Sequence, residues 1–337
     1  MGVESLKHHV STPTLTLPLQ VGGDDAVPNG FSGMKTSSQK GVALVMVLLI
    51  VAMATTLAAF MAQQQGFWQR AMENGRDRAQ ARRIAEAGID WARAVLADDA
   101  SVSQQYDHGK EMWAMRLPAV QLEGGEVRGA IHDQQGLFNL NNLVRNGAAS
   151  VPDVQHFQRL LDTLGMPPDL SYTLLDWLDA NSEPSVNGAE DEYYLRQEHP
   201  YRCANRLLSD IGELAWVKGY DAGIIKRLEP YVSVLPESNT PVNVNFAPPE
   251  VLIAVMPGLD LQEARRIHLQ IQSTPFKNTT DFFEQVHAPR SGSENLTVSS
   301  QYFMVTGYAT QGDGESSVHA LLYRNGFWAK QIRKSLQ

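Results

Sequence analysis

Apolar and polar positions alternate along this chain in several distinct regimes. From Val42 to Ala62 nearly every side chain is apolar, and no charge occurs between Lys40 and Arg70. As a helix rising ~1.5 Å per residue, this run is about 31 Å long, enough to cross a bilayer core. Helical spacing then continues: Ala79, Ile84, Ala87, Trp91 and Val95 recur as one apolar face. This predicts a long helix with a lipid-embedded half and an amphipathic half, loosened at Gly66 and Gly75. A period of two follows in Trp113–Leu117 and Glu126–Asp133, with a turn at Gly124-Gly125. These read as strands packed on the helix by one face.

From Asp153 to Pro230 the period is helical again. Val154, Phe157, Leu160, Leu161 and Leu164 share a face, Tyr172 to Leu178 start another, and 207–217 and 224–228 give two more. Ser209 and Asp221 are the expected N-caps. A second helical block runs from Pro241 to about Ala288. Strand character returns in 302–310 and 316–324 around a Gly312-Asp313-Gly314 turn, and these strands are expected to rejoin the first sheet. The expected divisions are 1–41 as a cleaved leader, 42–62 as a membrane helix, and 63–148 as helix and first strands. Next come helical insertion domains at 149–236 and 237–290, and closing strands at 291–337. The fold class is α+β: a long N-terminal helix on an antiparallel sheet, with a large all-α insertion.

Residues Met1 to Ser38 are rich in Ser, Thr, Pro and Gly without period, and Met34 offers a shorter leader and a later translation start. Lys35 and Lys40 precede the apolar run and the polar mass follows it, which puts the N-terminus in the cytoplasm and the body outside. A short basic leader, a Gly directly before an apolar helix, and that helix running on into a domain together resemble a type IV pilin-like signal. The resemblance implies cleavage by a prepilin peptidase between Gly41 and Val42, with methylation of the new Val42 amine. Pilins mostly carry Glu five residues after the cut; here Met46 stands there. A buried Glu in lipid needs a cationic partner, so a subunit without one suits a filament tip.

Composition removes other classes. A net charge of −9 over 337 residues opposes nucleic-acid binding, which rests on neutralising phosphates. The one cysteine, Cys203, excludes an intrachain disulfide framework. The nine histidines are scattered, and no metal-ligand His pair, nucleophile elbow or phosphate loop occurs, so no enzyme is read here. Met256-Pro257-Gly258-Leu259-Asp260 resembles a helix-hairpin-helix turn of the sterile-alpha-motif-like (SAM-like) class. Asp260 replaces its second Gly and would repel a phosphate, which favours a packing module.

Oxygen donors are densest from Asp176 to Tyr194. Ca²⁺ takes six to eight oxygens on a loop that can wrap it, but the spacing is not that of an EF-hand. On the residues alone, a solvated acidic loop and a Ca²⁺ loop both remain open. More specific are Asp176-Trp177-Leu178-Asp179 with Glu183-Pro184, Gly188-Ala189-Glu190-Asp191 before Tyr193-Tyr194, and Pro200-Tyr201-Arg202 before Asn205. Val217-Lys218-Gly219, Asn243-Val244-Asn245 and Pro257-Gly258-Leu259 follow. Together these resemble the K-class minor pseudopilins of type II secretion, as does the missing Glu at Met46.

That resemblance implies a tip subunit in the bacterial inner membrane with its body in the periplasm. It implies a complex with the I and J minor pseudopilins, then contact with the major pseudopilin and the inner-membrane assembly platform. It further implies bound Ca²⁺, with Asp179, Glu183, Asn187, Glu190 and Asp191 as candidate ligands, while Asp176 is expected to cap or pair within the helix. Partner helices would pack on Ala52, Ala54, Ala58 and Ala59, and Arg76, Arg78, Arg82 and Arg83 form a basic stretch above. A minor pilin of a type IV pilus or DNA-uptake system is the second reading.

Overall fold

The computed structural model describes residues 39–101, 105–116, 118–286 and 295–336. The leader up to residue 38, with Met34, lies outside the described residues, as do Leu117 and the expected end of the second helical block at 288. The chain divides into two units, Met1–Gln65 and Gly66–Gln337. In the first, helix α1 (Gln39–Ser101) begins, and every side chain from Gly41 to Gln65 is exposed. This stretch is long and apolar enough to cross a membrane. A helix that is apolar all round and bare is stabilised by lipid rather than by water.

In the second unit, β1 (Val120–Leu122) and β2 (Gly125–Asp133) follow the helix. Then come β3 (Phe138–Asn139), and β4 (Val144–Arg145) with β5 (Ala148–Ala149). Next are α2 (Val151–Thr163), α3 (Leu170–Leu178), α4 (Asp191–Tyr194) and α5 (Ala222–Leu228). After β6 (Val232–Ser233) and β7 (Val242–Asn243) stand α6 (Pro249–Val255), α7 (Leu261–Ser273) and α8 (Thr279–Gln285). The chain ends in β8 (Leu296–Thr297), β9 (Tyr302–Gln311), β10 (Gly314–Tyr323) and β11 (Lys330–Leu336).

Five strands form one antiparallel sheet in the order β1-β2-β9-β10-β11. β2 pairs with β9 along its whole length, from Gly125 opposite Gln311 to Asp133 opposite Phe303. The late strands therefore rejoin the early ones as expected, and everything between Asp133 and Tyr302 is inserted between two paired strands. The helix face on this sheet differs from the sequence expectation. Ala81, Ala85, Ile89, Ala92 and Leu96 are buried, whereas Ala79, Ala87 and Trp91 are exposed. Small residues decide the phase: a Cβ on Gly307 would sit 3.2 Å from the Ala85 carbonyl oxygen, and one on Gly314 2.4 Å from Arg78 N. At Ala85 and Arg78 helix and sheet approach too closely for a large side chain, whereas Ile89 and Leu96 fill the wider space further along the helix.

The expected strand at Trp113–Leu117 is instead a 3₁₀ turn, Met112–Ala114. Trp113 is buried against the start of the central strand β9, its ring 4.9 Å from Phe303 and 5.4 Å from Phe246. Asp221 caps α5 through Ile224 N, as expected. Ser209 does not cap. Asp210 does, accepting from Gly212 N at 2.8 Å at the start of the 3₁₀ helix Ile211–Trp216, because the tighter winding brings an earlier amide within reach.

The insertion builds one plan twice around a shared core. β3 pairs in parallel with β6, and β7 in parallel with β8. Asn139-Leu140-Asn141 starts on β3, and Asn243-Val244-Asn245 starts on β7. In each, the first Asn side chain accepts from the N–H of the second, at 3.2 and 2.9 Å. The second Asn grips a distant peptide at both ends. Asn141 accepts from Leu208 N at 2.8 Å and donates to Leu208 O at 2.9 Å. Asn245 does the same to Phe276, at 2.9 and 2.8 Å. A primary amide presents donor and acceptor side by side, so it pairs with a peptide as a strand would.

Candidate functional site

The acidic loop hangs from α3, whose Asp176 is fully buried. Its carboxylate accepts from Ser185 N at 3.0 Å and Ala189 N at 2.8 Å, so the helix braces the loop across its whole turn. The turn closes by Gly188 N donating to Ser185 O at 2.9 Å, with Asn187 at φ 65°, a conformation Asn tolerates. Gly188 is required by contact: a Cβ there would lie 1.9 Å from Asp176 Oδ2. Asp176 is thus neither a helix cap nor free in the loop; it holds the loop's shape.

That shape buries charge. Glu190 is 4% exposed, and neither of its carboxylate oxygens has a hydrogen-bond partner among the described residues. Burial first, and then the Asp176 and Asp179 charges, push its carboxyl up to about 7. Burial also raises Asp176 and Asp179 above the usual carboxylate range. Lys218 is a nearby cation, its Nζ donating to Gly188 O at 3.0 Å. Cys203 lines the same spot, its thiol donating to Asp176 O at 3.3 Å, and burial pushes that thiol up to about 12.

The five candidate ligands divide into two groups. Asp179, at the end of α3, and Glu190 are buried beside Asp176. The other three lie further out. Glu183 is exposed and its backbone N donates to Asn181 Oδ1 at 2.6 Å. Asn187 is exposed and donates to Asp169 Oδ2 at 3.2 Å. Asp191 accepts from Cys203 N at 2.8 Å, with Arg202 at 3.8 Å. An oxygen-rich concavity with two orphaned, buried carboxylate oxygens fits a hard cation such as Ca²⁺, because the ion would satisfy what no protein group does. Gly41 and Val42 lie exposed within α1.

Two models of the family described as "Type II secretion system (T2SS), protein K" match residues 136–237 and 242–299. The type II secretion system protein K of Klebsiella pneumoniae is 33% identical over 304 residues, covering 86% of this chain and 93% of that protein. The chain belongs to the type II secretion system protein K family. The Pseudomonas aeruginosa protein K is 36% identical over 299 residues, covering 85% and 89%. A chain in the GspK–GspI–GspJ complex of enterotoxigenic Escherichia coli shares the fold, with a TM-score of 0.68 at 22% identity, covering 80% of this chain and 99% of that one. The two protein K models fall on the two Asn-bracketed units, and the acidic loop lies wholly within the first. A protein K chain is a minor pseudopilin of type II secretion.

Among the residues missed in the sequence, the Asn brackets are foremost. Asn243-Val244-Asn245 was visible as a motif, but the same spacing in Asn139-Leu140-Asn141 was the signal that a second copy existed.

Proposed function

We propose that this protein is the tip subunit of the periplasmic pseudopilus. It is a structural component rather than an enzyme. It joins the I and J minor pseudopilins, starts assembly, and caps the filament before major pseudopilin is added beneath it on the inner-membrane platform. The insertion between β2 and β9 carries this reading: a pilin-like sheet bearing two further helical units has a body too large to be followed by another subunit. Both units are taken to be SAM-like packing modules. Prepilin peptidase cleaves between Gly41 and Val42, the Val42 amine is methylated, and the apolar helix crosses the inner membrane once with its N-terminus cytoplasmic.

Ca²⁺ supplies structural charge neutralisation in the acidic loop. Glu190 and Asp179 would hold it from the buried side, with Glu183, Asn187 and Asp191 available at the rim. Asp176 keeps the loop wrapped by holding Ser185 N and Ala189 N. The test of the tip assignment is co-purification of the chain with I and J from membranes. A stable ternary complex is expected, and recovery of this chain alone under conditions where I and J associate would refute it. Mass spectrometry of the mature N-terminus tests the processing, since a retained basic leader would exclude it.

A further inference from the structure

A second set of carboxylates meets where α1 ends and the insertion begins. Asp99 comes from the last turn of α1, and Asp107 and Glu111 from the connection that follows. Among the described residues, these three alone bring ligand atoms of three such side chains within 4.8 Å of one another. Arg324, just past β10, donates to Asp99 at 2.8 Å, to Asp107, and to Ser300 O at 2.9 Å. Asp107 also accepts from Ser300 N at 2.6 Å.

Glu111 stands apart. Its Oε2 accepts from His108 N at 3.0 Å and from the Trp113 indole at 2.8 Å. Its Oε1 is buried and has no hydrogen-bond partner among the described residues, in a side chain 4% exposed. His108 lies 3.9 Å away, and burial holds its imidazole toward the neutral form. The one guanidinium bonds Asp99 and Asp107 but not Glu111, and with all three carboxyls ionised the charge left over would equal that of one divalent ion. No two of these ligand atoms lie further apart than the roughly 4.8 Å between two opposed Ca²⁺ ligands at ~2.4 Å. Bonds to Arg324 do not exhaust the Asp oxygens, since a carboxylate offers about four lone-pair sites.

We propose that Asp99, Asp107 and Glu111 form a second cation site, for a hard divalent ion of the Ca²⁺ type, with Glu111 Oε1 as the ligand no protein group claims. The ion ties the end of α1 to the Ser300–Arg324 strand ends, at the root of the insertion. It is independent of the acidic-loop site, sharing no residue with it.

The test is equilibrium dialysis of the full chain in detergent against Ca²⁺, with Tb³⁺ luminescence excited through Trp113 as a second readout. Glu111→Gln keeps an acceptor for the indole and is expected to bind one Ca²⁺ fewer per chain than wild type. Glu190→Gln is expected to leave the Trp113-sensitised Tb³⁺ signal in place, and the double variant to lose both contributions. An unchanged Ca²⁺ count in folded Glu111→Gln overturns the proposal. Should Glu111→Gln fail to fold, Asp99→Asn gives the same decision by the same count. Stability that depends on pH through Glu111 with no effect of Ca²⁺ or Mg²⁺ also overturns it, since the group is then a proton site only.

Discussion

The two Asn-bracketed units share a frame and differ in what hangs from it. In the second, α7 ends at Ser273, and only Thr274 and Pro275 precede the peptide that Asn245 grips. In the first, α3 ends at Leu178, and residues 179–207 intervene before the Leu208 peptide held by Asn141. All of the orphaned acidic oxygens of the insertion's described residues lie in that extra segment, at Glu190. The Asn brackets are satisfied internally in both units. In the extra segment both Glu190 oxygens lack a partner among the described residues, and these are what the proposed ion would satisfy.

The sharpest break in this comparison is to remove a bracket. Asn141→Ala and Asn245→Ala each strand a buried peptide N–H and C=O, and each should destabilise the protein by about 3 kcal/mol, with Ca²⁺ or without. Thermal unfolding measures it. Equal losses in both variants are expected, and a loss confined to Asn141→Ala would mean that the second unit does not depend on its bracket.

Next in size is removal of the proposed acidic-loop ion. With Ca²⁺ at ~100 times its dissociation constant, binding stabilises by about 2.7 kcal/mol, and a chelator removes that. Hydrogen exchange should then rise across 181–192 and stay unchanged across 257–276. Equal deprotection of both regions would contradict a frame that stands without the ion.

The same contrast shows what could be read in advance. The apolar run from Val42 was legible because composition alone specifies it. β9 and β10 were legible because one face is buried and the other is not. β11 was missed because it is an exposed edge strand with a polar pattern, Lys330-Gln331-Ile332-Arg333-Lys334. The buried face of α1 was placed out of phase because alanine gives almost no amphipathic signal, although its size sets the approach to Gly307. The acidic loop was visible as a local cluster. The orphaned state of Glu190 was not, since it follows from Asp176 folding the loop inward. The Asp99–Asp107–Glu111 cluster was invisible because its counter-ion, Arg324, lies at the far end of the chain.

A smaller effect comes from protons. The Glu190 carboxyl is raised to about 7, above its unfolded value near 4.5. The folded state therefore binds more protons between these values. The stability tied to Glu190 is fully present below about 4.5 and declines as pH rises toward 7, by roughly 1–3 kcal/mol. Glu111 and Asp133 are raised in the same window, so the comparison must be wild type against Glu190→Gln. Without Ca²⁺ the two curves should diverge as pH rises from 4.5 to 7, and saturating Ca²⁺ should flatten the wild-type curve. Parallel curves in chelator would mean that Glu190 carries no unmatched charge.

The smallest effect concerns the second unit's hairpin, where the question of a phosphate site arose. Asp260 accepts from Glu263 N at 2.8 Å and is the N-cap of α7, with Gly258 at φ 88° before it. The residue that would repel a phosphate is thus accounted for by helix capping. Asp260→Ala should cost about 1 kcal/mol, and Asp260→Gly only a few tenths, because Gly is itself an acceptable cap. The glycine variant also recreates the Gly-x-Gly hairpin of phosphate-binding units. If the second unit is only a packing frame, that variant should still give no shift of duplex DNA in a mobility titration at low salt. Retarded DNA would mean that the two units differ by a masked phosphate site in the second, and not only by the acidic loop of the first.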